Sequence, residues 1–158
     1  MKLTTKGRYA VTALIDIAMH GDKYPVSLSE LSKRQDISAA YLEQLAAKLR
    51  AANLLQSVRG AKGGYKLAMP ARNISIADII LAIEEPMDTT KCKGRRNCKN
   101  GSVCITHHLW VDLNKVIDDF LSRISVESLV LKYKEEQKTE ALANPYRVNL
   151  NNIVAVAE

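Results

Sequence analysis

The sequence predicts a mainly α-helical chain with one small β-ribbon, on three observations. Two amphipathic helical segments meet at a tight turn around Asp36 and Ile37. Directly after them a glycine-rich stretch, RGAKGG at 59–64, separates two short apolar-leaning segments. Between 109 and 124, apolar residues then recur every three or four positions. Helix, turn, helix and ribbon in that order are the pattern of a winged helix-turn-helix domain, and the third observation adds a long dimerisation helix.

The first helix spans about 5–19, because Tyr9, Ala13, Leu14, Ile17 and Ala18 share one face and Gly21 breaks the run. Ser27 with Glu30 reads as a capping box that opens a short helix ending at Gln35. Ser38 is the next N-cap. The segment AAYLEQLAAKLRAAN after it is rich in helix formers, with Leu42, Leu45 and Leu49 turned inward. This second member is the recognition helix of the pair. Strands at 54–58 and 65–68 flank the glycine-rich turn, whose Gly60, Gly63 and Gly64 permit positive φ or a close backbone approach. No phosphate-loop or dinucleotide fingerprint is present, so the turn reads as a wing and not a nucleotide cradle. Ser75 caps a helix over 76–85 that Pro86 stops, its isoleucines forming core. The long helix spans about 103–124, with Leu109, Trp110, Leu113, Val116, Ile117, Phe120, Leu121 and Ile124 forming a stripe wider than a small domain needs. We expect that stripe to pack on its twin in a homodimer. Ser125 caps a short helix to about 134. Residues 135–158 show no clear period and read as a tail, disordered or docked on a partner.

The 158 residues hold one compact domain with an extension, and 47% apolar content suffices for a core. No run of eighteen apolar residues exists, and Asp16 interrupts the N-terminal apolar stretch. That stretch therefore reads as an amphipathic helix of a mature cytoplasmic protein, not a signal peptide. The net charge is +6, unevenly spread: +6 over 1–70, −3 over 71–90, +5 over 91–99 and −2 over 100–158. A basic N-terminal segment suits a nucleic-acid partner.

All three cysteines, Cys92, Cys98 and Cys104, fall in CKGRRNCKNGSVCITHH with five residues between neighbours, and His107 follows the third at one helical turn. Three thiolates and an imidazole can close on one soft metal centre. Zinc sites favour tighter C-x-x-C pairs, whereas these open spacings suit a larger cluster. A [2Fe–2S] centre takes four protein ligands, and these four supply them. The formal charge would be about −1, or about −2 after one-electron reduction. Lys91, Lys93, Arg95, Arg96 and Lys99 would offset it and favour thiolate over thiol. An imidazole ligand exchanges more readily than a thiolate, which suits a sensor. The adjacent His108 stays open as an alternative, with the spacing favouring His107. The chain thus divides into a winged helix-turn-helix domain (1–85), a cluster-binding loop (86–103), a dimerisation helix with a following short helix (104–134), and the tail (135–158).

For DNA, the recognition helix offers Ser38, Tyr41, Glu43 and Gln44 in its first turns. Gln44 can pair with adenine and Glu43 can accept from cytosine or repel wrong sequences, while Ser38 and Tyr41 can hold phosphates. Arg59 and Lys62 at the wing tip suit a narrow minor groove, and Lys2, Lys6 and Arg8 suit the DNA backbone.

Three segments carry a family resemblance: LTTKGRYAVTALIDIA, ISAAYLEQLAAKLRAANLLQSVRGAKGGY and CKGRRNCKNGSVCITHHLW. Over about residues 1–134 the chain resembles the iron–sulfur cluster regulators within a bacterial family of dimeric, cysteine-bearing winged-helix transcription regulators. The resemblance implies Cys92, Cys98, Cys104 and His107 as [2Fe–2S] ligands, and repression of cluster-assembly genes by the loaded form. The cluster-free form would still bind a second class of double-stranded DNA operators, and the cluster-assembly machinery would supply the cluster. Two departures stand out. Ala40 occupies a place where the family often has a serine, and the ligand loop is richer in Arg and Lys. A nitric-oxide-sensing branch of the family uses a [4Fe–4S] cluster with an acidic ligand from the first helix, where this chain has Arg8. A cluster-bearing electron carrier would leave the basic helix-turn-helix and the wing unexplained. A structural zinc module is the remaining rival.

Overall fold

The computed structural model describes residues 4–21, 23–83, 88–90 and 92–143. Among the described residues, six α-helices and a two-stranded antiparallel sheet make up the fold. Helix α1 (Thr5–His20) starts at Thr4, whose hydroxyl accepts the Lys6 N–H at 3.2 Å, and stops at Gly21. Its residues Ala10, Ala13, Leu14 and Ile17 are buried. Helix α2 (Leu28–Gln35) opens on the expected capping box: Ser27 Oγ accepts the Glu30 N–H, and the Glu30 carboxylate accepts the Ser27 N–H. Asp36 then takes a left-handed conformation, φ 53°, which turns the chain into α3 (Ala39–Ala51) with Ser38 as its cap. Leu42, Leu45, Ala46 and Leu49 of α3 are buried. Each large apolar side chain in this core stabilises the fold by roughly 1.5–3 kcal/mol.

Strands β1 (Leu55–Val58) and β2 (Gly64–Leu67) form the wing, with Leu55 opposite Leu67 and Val58 opposite Gly64. The wing is tied to the helix pair by reciprocal hydrogen bonds between Val26 and Tyr65, 2.8 and 2.9 Å long. Gly64 lies so close to this bridge that a Cβ there would sit 2.5 Å from the Val26 carbonyl oxygen. A short 3₁₀ turn (Ala71–Asn73) leads to α4 (Ile76–Ile83), capped by Ser75 with Asp78 answering. Ile76, Ile79, Ile80 and Ile83 are buried, as expected. The sequence-based end of this helix, 84–86, lies outside the described residues.

Helix α5 (His107–Ser122) begins four residues later than the apolar pattern suggested. Residues 99–102 form a turn with Asn100 and Gly101 at positive φ, and the Cys104 N–H donates to Cys98 Sγ. The backbone there serves the cysteine loop and so is not available to a helix. Helix α6 (Val126–Ala143) has the expected Ser125 cap but runs well past 134. Residues 135–143, expected in the tail, are therefore helical. They are mostly strong helix formers without an apolar stripe, so propensity extends α6 where periodicity fell silent. Backbone bonds Ile76 N to Ile124 O and Val126 N to Ile74 O, both 2.9 Å, fasten the α5–α6 junction to the start of α4. Val126 and Val130 of α6 then complete the core beside α1. Among the described residues no helix is long and apolar enough to cross a membrane.

One polar contact locks the helix-turn-helix in place. Asp16 of α1 is buried, and both its carboxylate oxygens accept from the Arg34 guanidinium of α2, with Nε at 3.0 and 3.2 Å. Gln35 Nε2 adds a third donor at 2.7 Å. Burial pushes the Asp16 carboxyl up, but hydrogen bonds from Arg34 and Gln35 outweigh it and hold it below the ordinary aspartate range.

Candidate metal centre and nucleic-acid interface

The cysteine loop leaves α4 and returns at α5, so its two ends belong to helices that pack on each other. His107 is the first residue of α5, 4% exposed, and Cys92 is 7% exposed. His107 Nδ1 lies 3.5 Å from Cys92 Sγ and 3.7 Å from Cys98 Sγ. The ligand atoms of Cys92, Cys98 and His107 all fall within 4.8 Å of one another, a group able to hold a metal. Cys104 stands outside that tight group, with its Sγ 3.8 Å from the Thr106 hydroxyl. It nevertheless lines the same cavity of about 430 Å³, together with Thr89, Thr90, Cys92, Cys98, Lys99, Thr106, His107 and Trp110. His108 is exposed, its ring stacked edge-on against His107 and absent from the cavity wall.

The thiols influence one another. Burial pushes Cys92 up, but the backbone amides of Arg96 and Asn97 and the Thr90 hydroxyl hold it below the ordinary thiol value. Cys104 is also lowered, first by its hydrogen bond with Cys98 and then by Thr106. Cys98 is raised, chiefly by the same contact with Cys104, and burial adds to the rise. The three thiols thus share their protons through mutual hydrogen bonds, and a metal cation bound among them would favour the thiolate form of each.

Sequence reasoning missed the residues that hold this loop. Thr90, buried, donates from its hydroxyl to Asp88 Oδ1 at 2.7 Å and accepts the Gly94 N–H at 2.9 Å. Asn114 of α5 meets Thr89 and Asp88. The Trp110 indole donates to the Thr106 hydroxyl at 3.2 Å. Only a polar residue inside the apolar stripe, Asn114, hinted at this in the sequence.

The second expected site spreads along α1, α3 and the wing. Ser38, Glu43 and Gln44 are exposed, as are Arg59 and Lys62 on the wing and Lys6 and Arg8 on α1. Lys2 lies outside the described residues. Tyr41 differs from expectation: its ring is partly buried edge-on against Tyr9, centroids 5.8 Å apart, so packing claims much of it. The Ser38 hydroxyl accepts the Tyr41 N–H at 3.3 Å and keeps its own proton to donate. At the other end of α3, Lys48 Nζ donates to the Ile83 carbonyl at 2.9 Å, joining the recognition helix to the helix that leads into the cysteine loop.

A winged helix-turn-helix, joined here to a Cys–His group able to hold a metal, is the fold of a DNA-binding transcription regulator. The chain belongs to the Rrf2 family, described as "Iron-dependent Transcriptional regulator", whose sequence profile matches residues 3–132. It is 48% identical over 157 residues to the HTH-type transcriptional regulator IscR of Vibrio cholerae, covering 96% of this chain and 90% of that one. Among solved structures it is similar to T. potens IscR, with a TM-score of 0.73 and 37% identity over 87% of this chain and 91% of that one. It is likewise similar to CymR, the global cysteine regulator of B. subtilis, with a TM-score of 0.74 and 31% identity over 84% and 98% of the two chains.

Proposed function

We propose that this regulator senses iron–sulfur cluster status through a [2Fe–2S] cluster held by Cys92, Cys98, Cys104 and His107, and that it controls cluster-assembly genes. The observation that carries the proposal is the approach of His107 Nδ1 to two cysteine sulfurs inside a cavity that Cys104 also lines. One imidazole and three thiols form a soft donor set matched to iron and sulfide, and the residues present fit such a group. When bound, the cluster supplies an anionic centre that is labile to oxidation and to iron demand. The chain's own residues do the rest. His107 would supply the nitrogen ligand, Lys99 lines the cavity, and exposed Arg95 and Arg96 of the same loop would help offset the cluster's negative charge. Loss of the ligand group would release the loop at the end of α4, where the Lys48–Ile83 contact passes the change to α3.

Contact with double-stranded DNA falls to Ser38, Glu43 and Gln44 at the start of α3, with Tyr41 in a lesser role. Arg59 and Lys62 would take the minor groove, and Lys6, Arg8 and Lys2 the backbone. The protein would act as a cytoplasmic homodimer, loaded by the cluster-assembly machinery. Helix α5 supports the dimer: Leu109, Val116 and Phe120 are 60, 63 and 62% exposed on one stripe. Such a face is costly to leave in water.

The test is the visible spectrum of anaerobically purified protein with iron and sulfide counts, alongside specific DNA binding. Two irons and two sulfides per chain with sulfide-to-iron absorption support the proposal. Stoichiometric zinc without colour overturns it in favour of a structural zinc module. Four irons and four sulfides favour the nitric-oxide-sensing branch, and a cluster without specific DNA binding favours an electron carrier.

A further inference from the structure

We infer that Asp88 and Asn114 form a positioning clasp that pins the ligand loop to α5 and so sets how tightly the metal is kept; the inference rests on the metal-centre reading above. Helix α5 carries His107 in its first turn and Asn114 two turns further on, about 10 Å along the axis. The loop therefore meets this helix twice, at the ligands and at Asn114. At the second meeting Asn114 Oδ1 accepts the Thr89 N–H at 2.9 Å and faces the Thr89 hydroxyl at 2.7 Å. Asn114 Nδ2 donates to Asp88 Oδ1 at 3.0 Å. The same carboxylate oxygen accepts the Thr90 N–H and the Thr90 hydroxyl, both at 2.7 Å. The Thr90 hydroxyl in turn receives the Gly94 N–H. The grip of Asn114 thus reaches both sides of Cys92, through Thr90 before it and Gly94 after it.

The polarity of the clasp is specific. The Asn114 oxygen accepts a backbone N–H while its NH2 donates to a carboxylate, so a residue that only accepts or only donates cannot replace it. None of the four residues belongs to the apolar core, so folding of the winged helix does not call for them. They hold the first ligand where His107 can reach it. Partners outside the ligands typically alter metal retention about 10- to 100-fold when removed.

The test compares wild type, Asn114→Ala, Asp88→Ala and the double variant, as full chains purified anaerobically. One oxygen, Asp88 Oδ1, takes the Asn114 amide and both Thr90 donors, so either truncation breaks the same clasp. Cluster loss after adding an iron chelator is followed by visible absorption and circular dichroism. Each single variant is expected to bleach at least about tenfold faster, the double variant to bleach by clearly less than the product of the two single effects, and all cluster-free forms to melt together. Wild-type lifetimes in the single variants, or a double variant that reaches the full product, would overturn the clasp. A wild-type protein without cluster absorption overturns the cluster reading instead. The clasp is then read from thiolate-to-Co²⁺ absorption in a Co²⁺ titration of the same proteins, where equal affinities overturn it. If Asn114→Ala fails to fold, Thr89→Val, which removes the hydroxyl at constant size, takes its place under the same criteria.

Discussion

His107 Nδ1 lies 3.5 Å from Cys92 Sγ across fifteen positions of chain, and this contact closes the loop into a chamber against the start of α5. His108, one residue on, is exposed and does not line it. Changing Cys92, Cys98, Cys104 or His107 to Ala should therefore abolish or weaken cluster absorption, whereas His108→Ala should keep it. All five variants should melt near wild type in cluster-free form, because no ligand belongs to the apolar core. Iron content and thermal melts check both parts. Unchanged colour in His107→Ala would reassign the fourth ligand.

Helix α5 divides its apolar residues between two duties. Leu121 packs on the core, as does Ile124 just past the helix end, and Leu113 and Ile117 are half-buried on the same chain, while Leu109, Val116 and Phe120 are exposed. Polar substitution at Val116 and Phe120 should therefore give folded monomers, since each loses roughly 1.5–3 kcal/mol of intersubunit burial per chain. Substitution at Leu113 or Ile117 should also disturb the fold. Sedimentation of the wild type as a stable monomer would remove the dimer from the account.

The Asp16–Arg34 pair predicts an acid-sensitive helix-turn-helix. The Asp16 carboxyl is held below its ordinary value in the folded chain, so its contribution is complete above about pH 4–5. It is lost as pH falls through the lowered folded value, where the buried carboxylate takes up a proton. Asp16→Ala removes the acceptor of Arg34 and Gln35, and because Arg34 can be solvated it should cost roughly 1.5–3 kcal/mol at neutral pH. It should also flatten the stability profile below pH 4 relative to wild type. Denaturant melts across pH check this, and parallel profiles for the two proteins would contradict it.

Much of the fold was legible because single residues announce it. Ser27, Ser38, Ser75 and Ser125 each stand before a helix and each accepts the N–H it was expected to accept. The meeting of Cys92, Cys98 and His107 was legible because thiols have few other uses at that spacing. Contacts between residues distant in sequence were not. Asp16 only interrupted an apolar run until α2 supplied Arg34, and Asn114 gains its role only where the loop supplies Asp88 and Thr89. Tyr41 was expected on the surface because neighbours on α3 cannot reveal Tyr9. Residues 135–143 lack an apolar period, so only their propensity marked a helix.

At the wing, Arg59 is exposed beside Gly60, which adopts φ 121°. Arg59→Ala should weaken operator binding by roughly 1–3 kcal/mol and relax preference at the base step it enters. Lys62→Ala should act evenly across sequences and lower the salt slope by about one unit. Binding isotherms over a range of salt concentrations separate the two effects. An Arg59→Ala protein with unaltered affinity and preference would show that the wing does not enter the groove.

The central claim is that occupancy of the Cys–His chamber changes which DNA is bound. The direct measurement is the affinity of the same preparation for a panel of operators, first cluster-loaded under anaerobic conditions and then cluster-free. The proposed ligands lie on the cysteine loop and at the first residue of α5, apart from α3 and the wing, so the cluster-free protein should still bind a subset of sites. The loaded form should prefer others, with a differential affinity of about tenfold or more, equivalent to a coupling of about 1.4 kcal/mol. Equal affinities of the two forms for every operator would contradict the sensor account, even with the cluster itself confirmed.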